Sequence, residues 1–142
     1  RCKMHMKNKV RIIFWSMLAA IAISACMPAM SVRTEFDDSI NKYNKFLSSQ
    51  SFDAAGFFAS ESIAKEFSAR VKAAKNIKVI DHRILRVQYD EKNGTAQVEV
   101  EIDYYSLSSY RMKTLLDIQK WAYVTENGFK HWRLMSLLPE FL

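Results

Sequence analysis

Near Ile77 the hydrophobic period of the chain changes from about 3.6 residues to 2, which confines helices to the first part and strands to the second. That order excludes the alternating strands and helices of a parallel-sheet fold. Upstream, Phe36, Ile40, Tyr43, Phe46 and Leu47 recur at spacings of three and four and predict a helix over 34–48, with Thr34 and Asp37 as its capping box. Ser48 to Ser51 interrupts it, Phe52 to Phe58 reads as a second short helical segment weakened at Gly56, and Ser60-Glu-Ser62 caps a third over 61–74. The apolar face of that third helix is Ile63, Ala64, Phe67, Val71 and Ala74.

Downstream, Ile77 to Tyr89 reads as a strand whose apolar phase slips from Ile80 and Ile84 to Leu85, Val87 and Tyr89, so a bulge is expected near Ile84. Asn93-Gly94 marks a hairpin, because both residues tolerate positive φ. Thr95 to Leu107 then alternates, with Ala96, Val98, Val100, Ile102 and Tyr104 inward and Gln97, Glu99, Glu101 and Asp103 outward. A third strand, Arg111 to Thr125, carries Met112, Leu116, Ile118, Trp121 and Tyr123. Asn127-Gly128 turns it into a fourth, Phe129 to Leu138, with Trp132 and Leu134. The expected fold is α+β, N-terminal helices packed on a curved four-stranded antiparallel sheet. At 142 residues the chain has room for one such domain.

A net charge of +6 suggests nucleic acid until it is divided along the chain. Arg1, Lys3, Lys7, Lys9 and Arg11 account for five of the 21 basic residues, and no acidic residue precedes Glu35. From Cys26 onward sixteen basic residues face fifteen acidic ones, interspersed, so phosphate-backbone binding is not expected.

The basic stretch ending at Arg11 is followed by an apolar run, Ile12 to Ala25, too short for the about twenty residues of a spanning helix. Ile23-Ser24-Ala25-Cys26 closes it and resembles the bacterial lipobox, with Ile where Leu is commoner. The resemblance implies a signal peptide over 1–25, Cys26 as the lipidated first residue of the mature chain, a tether over 26–33 and a folded domain over 34–142. It further implies a protein held in the membrane by its acyl chains and facing the periplasm, with Met27 in place of Asp favouring the outer over the inner membrane. The alternative is an uncleaved signal anchor from Ile12 to Met30.

A long first helix, two short ones, a bent first strand and the closing Asn127-Gly-Phe-Lys-His-Trp-Arg-Leu134 segment are similar to the nuclear transport factor 2-like, or cone-shaped ketosteroid-isomerase-like, superfamily. A cystatin-type arrangement would have too few helices. The resemblance implies a conical space between helices and sheet, used by some members as a pocket with Asp, His or Tyr inside. Candidate pocket-lining residues are Tyr43, His82, Tyr104 and Trp132, with Asp81 and His131 as further polar groups. Asp81 and His82 are successive strand residues pointing to opposite faces, so they form no dyad. Glu99, Glu101 and Asp103 read as a solvated row without partners.

Both cysteines lie at or before position 26, no His-x-x-x-His spacing occurs, and neither a metal nor a cofactor is expected. With three glycines and no nucleophile elbow or phosphate loop, catalysis is not signalled. The expectation is a non-catalytic binding or accessory module of the cell envelope whose partners are the membrane and another envelope protein or a second copy, through exposed Tyr105, Leu107 or Trp121. The alternatives are a pocket binder or enzyme of the ketosteroid-isomerase-like type and a subunit of an envelope secretion assembly.

Overall fold

The computed structural model describes residues 30–142; the leader, its cleavage site and the lipidated Cys26 read from the sequence lie outside them. Helix α1 spans Val32–Ser48. It starts before Thr34 because Ser31 is the cap: its Oγ accepts the Thr34 N–H at 3.1 Å. Asp37, expected to close a capping box, lies instead 3.1 Å from the Arg33 guanidinium, one turn away. Gln50, at φ 62°, reverses the chain into α2, Phe52–Ala55, which tightens into a 3₁₀ turn at Gly56–Phe58. Helix α3 covers only Ala64–Ala73, because the Ser60 and Ser62 hydroxyls bond each other at 2.7 Å rather than cap it.

Four strands follow, β1 (Ile77–Asp90), β2 (Thr95–Ser106), β3 (Lys113–Glu126) and β4 (Phe129–Leu134), as an antiparallel meander in that order. The bulge foreseen near Ile84 is present, with Leu85 as the extra residue, and a second occurs at Ile80. Together they keep Val79, His82, Ile84, Val87 and Tyr89 opposite the inward row of β2. In the first hairpin only Gly94 has positive φ; the Asn93 side chain instead donates to Asp90 at 2.6 Å. In the second, Asn127 (φ 52°) and Gly128 (φ 80°) form the two-residue turn that the sequence predicts. Strand β4 ends at Leu134 rather than Leu138, after which the Met135 N–H bonds the Lys120 carbonyl and Leu138 drops into the core.

The core lies between α1 and the inner face of the sheet. Phe36, Ile40, Tyr43 and Leu47 of α1 meet Ala96, Val98, Val100, Ile102 and Tyr104 of β2, all buried as expected. Each such aliphatic side chain contributes about 1.5–3 kcal/mol by leaving water. Strand β3 faces otherwise than the sequence predicts. Trp121, expected on an exposed outer face, is buried together with Asp117 and Gln119, whereas Leu116 and Ile118 are exposed. Period 2 counted back from Trp121 requires this, since Trp121 pairs with inward Ala96, Gln119 with Val98 and Asp117 with Val100. Trp121 is therefore a core residue and no part of an outer docking face.

Candidate functional site

Strand β3 puts two polar side chains where apolar ones are the rule, and α1 answers with Asn44, buried one turn beyond Ile40 on its apolar face. Gln119 Nε2 donates to Asn44 Oδ1 at 2.7 Å and to Asp117 Oδ2 at 2.9 Å. Asn44 Nδ2 returns a bond to Gln119 Oε1 at 3.3 Å and a second to the Ile40 carbonyl at 2.8 Å. Burial pushes the Asp117 carboxyl up to about 6, and the Gln119 bond opposes that shift only in part. Next to this row stands Tyr43, fully buried, with Trp121 edge-on at 5.7 Å and no partner for its hydroxyl. Burial raises the Tyr43 pKa well above its ordinary value, and the charge of Asp117 raises it further.

None of these three polar residues was singled out in the sequence; counting parity back from Trp121 would have found Asp117 and Gln119. The expected pocket-lining residues do not meet around one space. Tyr43 is central, among Phe58, Phe67 and Trp121. His82 lies at the far end of α1, its Nδ1 2.5 Å from Ser48 Oγ. Tyr104 holds the C-terminus, its hydroxyl donating to the Leu142 carbonyl at 2.9 Å and accepting the Leu142 N–H at 3.2 Å. Trp132 sits at the opposite end, its indole N–H on the Val32 carbonyl at 2.9 Å and its rings against Phe36, Tyr89 and Tyr123. Asp81 accepts the His82 N–H and lies 3.3 Å from Arg83, and His131 flanks Glu126 at 3.7 Å.

Two open clefts of about 550 Å³ flank the molecule. One runs beside Tyr89, Ala96, Lys120 and Met135, the other beside Gln50, Val71, Lys72, Lys75 and Lys78, and neither is lined by Asp117 or Tyr43. Among the described residues no group of three or more His, Cys, Asp and Glu converges as a metal site.

On the outer face the carboxylate row is not solvated alone. Arg83 of β1 reaches Glu101 at 2.6 Å, Asp103 at 2.8 Å and Asp81 at 3.3 Å. The Arg83 and Thr114 bonds hold Asp103 below its usual pKa, and Arg86 lies 3.7 Å from Glu99. Beside this charged ladder, Leu116 and Ile118 of β3 stand exposed, paired across the sheet with Glu101 and Glu99. Tyr105 stacks on Tyr110 at 5.8 Å, and Leu107 is exposed as expected.

No protein-family model matches the chain, and no curated protein sequence matches it. Solved structures do. A SEC-C motif-containing protein from Rhodopseudomonas palustris superposes with a TM-score of 0.53 at 9% identity, over 69% of this chain and 73% of its own. The beta subunit of benzoate 1,2-dioxygenase from Burkholderia mallei gives a TM-score of 0.54 at 11% identity, over 77% of this chain and 89% of its own. At such identities the likeness is one of fold alone, α+β with N-terminal helices on a four-stranded antiparallel sheet.

Proposed function

We propose that the chain is a lipid-anchored, non-catalytic binding module of the cell envelope that meets its partner through the outer face of the sheet. The observation that carries this reading is the combination of a core filled by Phe36, Tyr43, Phe67 and Trp121 with an outer face of β3 that leaves Leu116 and Ile118 exposed. Apolar side chains rimmed by the Arg83 and Arg86 ion pairs make a patch suited to a protein surface. The lipobox supports placement at a membrane, where association costs less because the partner is confined to the same surface. A photo-crosslinking residue at Leu116 in living cells should give a discrete adduct that Ile118→Lys removes; no adduct in envelope membranes would count against the reading.

A second reading is favoured by Asp117 and Tyr43. A carboxyl with its pKa raised to about 6, beside a phenol without a partner, is the kind of pair that acid-base chemistry uses once a cavity opens. A cyclase-like or ligand-binding role would follow. Apolar carbonyl compounds that raise the melting temperature of the native chain but not of Asp117→Asn would support it, and none doing so would remove it.

A further inference from the structure

One end of the domain collects features that bear on how it sits on a bilayer. Helix α1 runs along β1 from Tyr89, under the Arg33 guanidinium at 4.5 Å, to Val79 and His82, which Gln50 and Ser48 bond. Its N-terminus is therefore beside the two hairpin loops, 91–94 and 127–128, because Tyr89 and Trp132 lie next to them. The loop 107–112 and Leu142 lie at the other end. Seventeen helical residues make α1 about 25 Å long.

Four residues, Met27 to Met30, separate Cys26 from Ser31. Fully extended, they reach no more than about 18 Å. A domain held by Cys26 on that tether can bring its α1 N-terminus and the hairpin loops to the bilayer, but not its opposite end, which lies beyond the tether's reach.

The end so confined carries exposed apolar side chains: Phe129 is 74% exposed and Val32 41%. Lys130 lies over the Tyr123 ring at 5.0 Å, and an aromatic beside a basic residue suits the headgroup layer. Basic residues do not predominate there: Lys92 and Lys130 stand among Asp90, Glu91, Glu35 and Glu61, while Arg33 pairs with Asp37 and Arg133 with Glu126. We infer that this end docks on the lipid surface, with Phe129 seated among the headgroups and little dependence on anionic lipid. The inference rests on lipidation of Cys26.

The test uses the full chain, lipidated in cells, purified and reconstituted in phosphatidylcholine vesicles with and without phosphatidylglycerol. Single thiols for spin labelling are placed by Phe129→Cys, Lys92→Cys and, at the far end, Ser109→Cys, all exposed positions. Labels at 129 and 92 should lose accessibility to a water-soluble nickel relaxant and gain accessibility to oxygen when micelles are exchanged for either vesicle, while the label at 109 stays unchanged. Labels at 129 and 92 as open to nickel as that at 109, in protein whose mass shows the acyl groups, would overturn the docking and leave the anchor standing. Protein whose mass shows no acyl groups would remove the anchor itself and, with it, the docking.

Discussion

Asn44 and Gln119 exchange two hydrogen bonds across the interface of α1 and β3, at 2.7 and 3.3 Å, inside the core and beside buried Asp117. The pair ties the register of the helix to that of the strand, because a shift of either by one residue would strand four polar atoms away from water.

Asn44→Ala should therefore cost more than a cavity of its size. It leaves the Gln119 amide half satisfied in the core, and the expected loss is about 2–4 kcal/mol. Chemical denaturation of the variant against Asn44→Ala with Gln119→Leu and Asp117→Leu checks this, since the triple variant removes every side chain of the buried row and should recover part of the loss.

Asp117 makes the fold sensitive to pH in a stated direction. Its folded pKa of about 6 lies above the ordinary carboxylate value. The folded state therefore binds the proton more tightly, and this contribution is full below about pH 4 and lost as pH rises through 6. Asp117→Asn should remove that slope and stabilise the domain at pH 7 by roughly 2–3 kcal/mol relative to its effect at pH 4. Melting temperatures across pH 4 to 8 would show it, and parallel curves for both proteins would refute it.

Tyr43→Phe deletes a buried hydroxyl that has no partner. Desolvation without compensation is a penalty, so the variant should be unchanged or more stable by up to about 1 kcal/mol. A loss above about 1 kcal/mol would mean that the hydroxyl binds something inside the cone.

Trp132→Phe breaks the indole bond to the Val32 carbonyl and thins the packing on Phe36 and Tyr89. A loss of about 1–3 kcal/mol is expected, with hydrogen exchange accelerated first in the opening turn of α1.

Much of this architecture was legible because two periods coincide with burial. In β2 every second residue from Ala96 to Tyr104 is apolar and buried, and the 127–128 turn follows from the φ that Asn and Gly tolerate. Strand β3 misled because hydrophobicity and parity disagree there. Leu116 and Ile118 are the greasier residues, but Trp121 fixes the phase, and a helix partner, Asn44, makes buried Asp117 and Gln119 acceptable. Nothing in one strand's composition announces a partner 75 residues away. The same distance hid the site: polar core groups are recognised by what they bond, and the four aromatic and histidine candidates were separated by topology that spacing does not encode.

The proposed membrane anchor depends on Cys26. Cells given radiolabelled palmitate should yield labelled protein that fractionates with membranes, and Cys26→Ser should lose both the label and the fractionation. A Cys26→Ser form that is processed and fractionates like the unaltered chain would contradict it.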